Sequence, residues 1–434
     1  MGSGARPQMK LVLFAQGVGV AQSVWRSPRT QPERLHSLGY WAELAQLAEA
    51  GRFDAFFIAD TLNLSPSITT DAITRPDPVA LLSALSAVTS RIGLVGTSST
   101  TYNDPFTVAR QFATLDHLSE GRAGWNVVTT AIAAAAANHG STDLPDHGDR
   151  YQRAEEFVDV VTALWEAWDE HAVVADRASG VYADGDLVRS IDHHGDHFHV
   201  RGPLNVPRSP QGRLPLAQAG SSGPGMDLGA RVGNLLFTTQ VDLEQSQAFV
   251  ADVKRRAAGF GRNPDHVKVL PGLTPILGRT EAAARELAEE LGSHVGEQAT
   301  LQFLQQSFGG VDLSGHDLDA PFPDIRSQLP AHASVSRPEL FIRTALSEGL
   351  TLRQMVQRIG LSIGHRSFVG TPDQLADEME RWFTAGGADG FVILPADLPV
   401  GFADFVEEVV PRLQARGLFR SEYRGRTLWE HLDD

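Results

Sequence analysis

The chain predicts an α/β fold, a (β/α)8 TIM barrel with insertions, and three observations carry that expectation. Short apolar runs recur and end in small polar residues, amphipathic helical stretches separate them, and no linker divides the series into two cores. The order strand, loop, helix repeats about eight times between Lys10 and Gly417, as a closed parallel barrel requires. A doubly wound open sheet is the alternative. No Gly-x-Gly-x-x-Gly follows the first apolar run and no Gly-x-x-x-x-Gly-Lys occurs, so nothing supports a Rossmann or Walker site.

Composition narrows the class. With 434 residues, 42% hydrophobic and 21% charged, the chain fits one large barrel or two medium domains. We expect residues 1–9 to be a flexible lead-in and residues 10–434 to form one domain with insertions near 171–213 and 308–337. No apolar run approaches the roughly 18 to 20 residues of a membrane helix. The net charge of −16 argues against nucleic acid or an anionic membrane as partner. The absence of cysteine excludes disulfides, thiolate nucleophiles and Cys-ligated metals. MGSGARPQ lacks the apolar core of a signal peptide, so a cytoplasmic protein is expected.

The first strand spans Lys10 to Ala15, and a long loop carrying Trp25 and Arg26 leads to a helix from Ser37. Phe53 to Ala59 is the second strand, with Asp60 at its C-terminal end. Ile92 to Val95 begins the third, and Gly96 to Thr101 adds small, hydroxyl-rich positions that include Thr97. From Pro105 the period changes to helical, with Phe106, Ala109, Phe112 and Leu115 on one face. Ala123 to Val128 is the fourth strand and also ends in hydroxyls, at Thr129 and Thr130. Neighbouring strands thus present polar ends on the side where parallel α/β folds build their sites.

Asp149 followed by Gln152 reads as a capping box for a helix whose buried face runs from Ala154 to Trp168. His147 and Tyr151 then flank a helix N-terminus, where unpaired N–H groups favour an anion. Residues 171–213 read as an inserted hairpin and loop. Its HHGDHFH run, with His193, His194, His197 and His199, could ligate a metal, although the flanking carboxylates suit a solvated hairpin and we expect no metal. After the strand Leu214 to Ala219, Ser221, Ser222, Gly223 and Pro224 form a strand-to-helix junction able to hold a phosphate.

Several motifs appear in a recognisable order: AEAGRFDAFFIAD, then TSRIGLVGTSSTTYNDPFTVARQFATLDHLSEGRAGWNVVTT, HGDRYQRAEEF, GPLNVPRSPQGRLPLAQAGSS, DGFVILP and VVPRLQARGLFR. From about Lys10 to Thr427 the chain resembles the flavin-dependent monooxygenases that act on nitrilotriacetate, dibenzothiophene sulfone and the pristinamycin precursor, within the bacterial-luciferase-like group.

The resemblance implies a luciferase-like TIM barrel that uses reduced FMN and O2 to oxygenate a small organic substrate. It also implies a separate NAD(P)H:flavin reductase as partner and a homodimer or homotetramer. By the same resemblance Asp60 and Thr97 contact the flavin, while His147, Tyr151, Ser221 and Ser222 lie around its phosphate. Tyr102, Phe237 and Ser98 to Thr101 are candidate cavity walls, and no acid or base is assigned. His194 stands where the family usually has Arg or Lys, His139 where Phe is common, and Ala131 to Ala137 is a plain loop, so the substrate is not implied. The alternatives are a non-catalytic flavin-binding protein and a metal-dependent barrel hydrolase built on His193, His197 and His199.

Overall fold

The computed structural model describes residues 7–130, 132–140, 145–297, 300–301, 304–305, 308, 310–329 and 336–434. The first half runs β1 (Lys10–Phe14), α1 (Leu38–Ala50), β2 (Ala55–Ile58), α2 (Pro78–Ser86), β3 (Gly93–Ser99), α3 (Pro105–Leu118) and β4 (Ala123–Val128). A short α4 (Ala133–Asn138) and the long α5 (His147–Trp165) follow. Two antiparallel hairpins lie outside the barrel, β5 (Val173–Asp176) with β6 (Val181–Ala183) and β7 (His193–His194) with β8 (His199–Val200).

The second half runs β9 (Leu216–Gln218), α6 (Gly223–Val232), β10 (Leu235–Thr238), α7 (Leu243–Gly259), β11 (Lys268–Leu277) and α8 (Glu281–Ser293). It continues through α9 (Ser336–Glu348), α10 (Leu352–Ser362), β12 (Arg366–Gly370), α11 (Pro372–Thr384) and β13 (Gly390–Ile393). The last helix, α12, spans Leu428–Asp433.

Local chemistry explains the helix starts. Asp77 and Asp104 cap α2 and α3, each followed by proline at the first helical position. Thr371 with Gln374 forms a capping box on α11. α5 differs from expectation: Asp146 is its cap, so Asp149 lies in the first turn and no Asp149–Gln152 box forms. Arg150 N bonds Asp146 O at 3.0 Å, which sets the start three residues earlier. The helix also stops before Trp168, whose indole N–H instead donates to Leu204 O at 2.7 Å and holds the insertion.

Eight parallel strands close in the order β1, β2, β3, β4, β9, β10, β11, β13. Leu13 lies in register with Ile393 where the first and last strands meet. β12 is an additional strand on the far half of β11, pairing Leu273–Leu277 with Arg366–Gly370. Met9 is already buried and its N–H donates to Leu418 O at 2.8 Å, while residues 1–6 of the expected lead-in lie outside the described residues. Of the expected 308–337 insertion, residues 309 and 330–335 are likewise outside them. Among the described residues no helix is long and apolar enough to cross a membrane.

The N-terminal end of the barrel is plugged. Leu428 and Leu432 of α12 pack with Val12, Ala55, Val95 and Val392, and a Cβ on Gly93 would lie 2.5 Å from Leu428 Cδ1. Around the plug, Asp54 accepts from Leu11 N at 2.7 Å and pairs with Arg420 at 2.5 Å, both side chains being at most 1% exposed. Lys10 Nζ donates to His431 O and Asp434 O, each at 2.7 Å. Burial, only partly offset by Asp54, lowers the Lys10 pKa to about 8.

A buried pair loses most when one partner is removed. Asp54→Ala is therefore expected to cost about 3–5 kcal/mol in urea unfolding, since it strands the Arg420 charge. His431 is held below its ordinary pKa of 6.5, first by burial, so the unfolded chain binds the proton more readily. Stability should fall as pH drops through and below that value, and His431→Gln should remove that part of the slope.

Candidate active site

The C-terminal ends of the strands enclose a cavity of about 280 Å³. Phe14, Phe57 and Phe237 form its apolar side, with ring centroids 5.3 Å apart for Phe14–Phe57 and 4.7 Å for Phe57–Phe237. Ala219, Gly220 and Ser221 follow β9, and Thr238 and Thr239 close β10, so backbone and hydroxyl groups form the rim. Gly272 of β11 and His365, just ahead of β12, complete one wall.

Asn126 enters the cavity from the middle of β4. Its amide N–H donates to Thr97 Oγ1 at 2.9 Å, and Thr97 passes the bond to Ile58 O at 2.9 Å. Asn126 Oδ1 is buried with no hydrogen-bond partner. An acceptor left bare beside a cavity carries a desolvation cost that a ligand N–H would remove.

At the rim, α5 and α6 bring their N-termini together. Ser222 caps α6, its Oγ accepting from Gly225 N at 3.3 Å. A Cβ built on Gly225 would lie 2.9 Å from Tyr151 Oη, 3.0 Å from Gly220 Cα and 3.1 Å from Ser222 Oγ. Only glycine therefore fits where these groups converge. His147 is exposed and packs its ring 4.9 Å from that of Tyr151. Helix-start N–H groups and hydroxyls are donors of the kind that can hold an anion.

Asp60 stands one residue beyond Ala59, which lines the cavity. Its carboxylate accepts from Thr61 N at 2.7 Å, and Arg75 donates to Thr61 Oγ1 at 2.7 Å. Burial pushes the Asp60 carboxyl up from the usual range, with the Thr61 bond and Arg75 opposing and Asp77 adding to the rise.

The structure thus gathers His147, Tyr151, Ser221 and Ser222 at one edge and links Thr97 to the cavity through Asn126. Asp60 keeps to the outer rim. Of the expected walls, Phe237 lines the cavity, whereas two hydroxyls at and just beyond the end of β3 are used elsewhere: Thr130 Oγ1 donates to Ser99 Oγ at 2.7 Å and Thr100 Oγ1 to Val128 O at 3.2 Å. Tyr102 stacks on His139 with centroids 4.7 Å apart. Trp25 ties the first long loop to the second, donating to Thr70 O at 2.7 Å. Asn126, Gly272 and His365 were missed from sequence; the one available signal was a lone amide inside the apolar run GWNVV.

The histidine run serves a different purpose. Glu156 of α5 takes His193 Nε2, His197 N and Phe198 N, all at 2.9 Å, and so fastens the β7–β8 hairpin. Among the described residues no three His, Asp or Glu side chains group as metal ligands would.

Residues 12–389 match the family model of luciferase-like monooxygenases. The chain belongs to the luciferase-like monooxygenase family. It is similar to N-acetyl-S-(2-succino)cysteine monooxygenase of Bacillus subtilis (strain 168), at 45% identity over 98% of this chain and 96% of that one. It is equally similar to nitrilotriacetate monooxygenase component A of Aminobacter aminovorans, at 45% over 99% and 97%. Among solved structures, riboflavin lyase with modified FMN and riboflavin aligns with a TM-score of 0.84 at 33% identity, covering 98% of this chain and 95% of that one. This luciferase-like protein is a flavin-dependent monooxygenase, one part of a two-component system. The resemblance and the barrel expected from sequence both hold.

If Glu156 anchors the hairpin without metal, exhaustive chelation should leave the melting temperature unchanged. Glu156→Ala, which strands the backbone donors it satisfies, should lower stability by about 1–3 kcal/mol.

Proposed function

We propose that this luciferase-like monooxygenase takes up reduced FMN, supplied by a separate NAD(P)H:flavin reductase, at the cavity on the C-terminal rim of its barrel. His147, Tyr151, Ser221 and Ser222 hold the phosphate, and Asp60, Thr97 and Asn126 serve the ring end. The observation that carries this reading is the meeting of Tyr151 Oη, Ser222 Oγ and the Gly220 backbone within 3.1 Å of the point a Gly225 Cβ would occupy. The bare Asn126 Oδ1 supports it from the other end of the site.

When bound, reduced FMN with O2 supplies the oxygen atom that enters a small organic substrate. The chain's own contribution is to orient and to exclude water. Phe14, Phe57 and Phe237 offer an apolar surface that keeps bulk solvent off the reacting groups. Two helix N-termini complement a dianionic phosphate at the edge. The named substrates of the two relatives, nitrilotriacetate and N-acetyl-S-(2-succino)cysteine, are small polyanions with a nitrogen or sulfur centre, and such compounds form the first panel to assay. We place the protein in the cytoplasm, where the reductase finds NAD(P)H, as a homodimer or homotetramer.

A hydrogen bond to a charged group contributes about 1.5–3 kcal/mol, and each 1.4 kcal/mol is tenfold in affinity. Tyr151→Phe combined with Ser222→Ala should therefore weaken FMN binding about 100-fold or more in a fluorescence titration. Riboflavin, which lacks the phosphate, should be little affected. With substrate present, NAD(P)H alone should give no product until a flavin reductase is added.

A further inference from the structure

We propose that His365 is the proton-transferring residue of this monooxygenase, set in the wall between the flavin cavity and a second, polar compartment. The inference rests on the flavin reading of the first cavity. Among the described residues lining that cavity, His365 is the one ionisable side chain. The rest are aromatic, aliphatic, hydroxyl or amide groups and glycines, none of which exchanges protons readily near neutral pH.

The backbone is shaped to put the imidazole there. Ser362 O accepts from His365 N at 3.0 Å across a tight turn whose central residues, Ile363 and Gly364, have φ of 49° and 76°. A β-branched residue in the left-handed region is disfavoured, and such strain concentrates where a side chain must be aimed. On the facing strand, a Cβ on Gly272 would lie 2.2 Å from His365 Nδ1. The ring thus occupies the space that any larger residue in β11 would take.

Behind the ring lies a compartment of about 240 Å³ that shares His365 with the first cavity. It contains Arg358 paired with Glu348, and Arg366, which pairs with Glu378. Ser362, Ser367 and Thr344 add hydroxyls. Among the described residues lining that compartment, the charged groups are Arg358 from α10, Glu348 from α9 and Arg366 from β12. The imidazole divides an apolar space from a polar one. An imidazole takes a proton at one nitrogen and releases one at the other, which suits a residue that lines both spaces. Substrate, O2 and FMNH2 together give oxygenated substrate, H2O and FMN, with both electrons and both protons of the water drawn from FMNH2; His365 lends a proton to the oxygen atom that leaves as water and regains one afterwards, so the transfer calls for no further oxidant or reductant.

The test uses the intact protein with FMN. In wild type, the rate at which O2 reoxidises bound reduced FMN should show a pH limb. His365→Gln should abolish that limb and slow the step about 100-fold or more while leaving the affinity for oxidised FMN unchanged. Added imidazole should restore rate to His365→Ala. Should either variant fail to fold, the His365 C2-proton resonance of the wild type should shift its titration midpoint by about half a pH unit or more on FMN binding. An unchanged pH limb in His365→Gln, or a resonance indifferent to FMN, overturns the proposal while flavin binding stands. Failure of the wild type to bind FMN overturns the flavin reading and this one with it.

Discussion

Lys10–Leu13 lies in parallel register with Gly390–Ile393, and this pairing joins the first strand of the chain to the last. Closure removes both sheet edges and forces the strand ends into a ring. Everything at the rim then follows from what stands at each C-terminal strand end. Closure also creates an interior that must be filled, and the two ends are treated differently. At the N-terminal end Leu428 and Leu432 fill it, ringed by the Asp54–Arg420 pair and the Lys10 ammonium. At the C-terminal end three phenylalanines stop short of filling it, and the cavity remains.

The cavity's chemistry is divided by position. Aromatic rings and small residues occupy the centre, where low polarity protects reactive groups. Helix starts and serine hydroxyls occupy one edge, where a phosphate would find donors and partial positive charge. A barrel provides both at once because strand interiors and strand-to-helix junctions sit within one ring. Among the described residues lining the cavity His365 alone is ionisable, and it enters from the side where β12 lies on β11.

Much of this was legible in the residues. Barrel strands are buried on both faces, so they read as unbroken apolar runs, and the polar residue that ends each run marks the rim. Asp60, Ser221 and Ser222 were found that way. Phe57 and Gly272 were not, because a cavity-facing residue in a strand looks the same as a core-facing one. β12 escaped because RSFVG is largely half-exposed and carries no apolar run, and His365 went with it. The α5 start was misjudged since Asp146 and Asp149 are both competent caps, and only the Arg150 N to Asp146 O bond decides between them. In the histidine run a metal-like spacing accompanies Glu156 gathering donors at a hairpin, a role the sequence does not reveal.

The central claim is that the rim where α5 meets α6 holds the flavin phosphate while the ring end lies toward Asn126. A crystal structure of the protein with FMN bound is the most direct test. The account predicts phosphate oxygens within hydrogen-bonding distance of Tyr151 Oη and the Ser221–Ser222 junction, and a flavin N–H on Asn126 Oδ1. A phosphate bound away from that rim, or a flavin lying outside the phenylalanine-lined cavity, would contradict it.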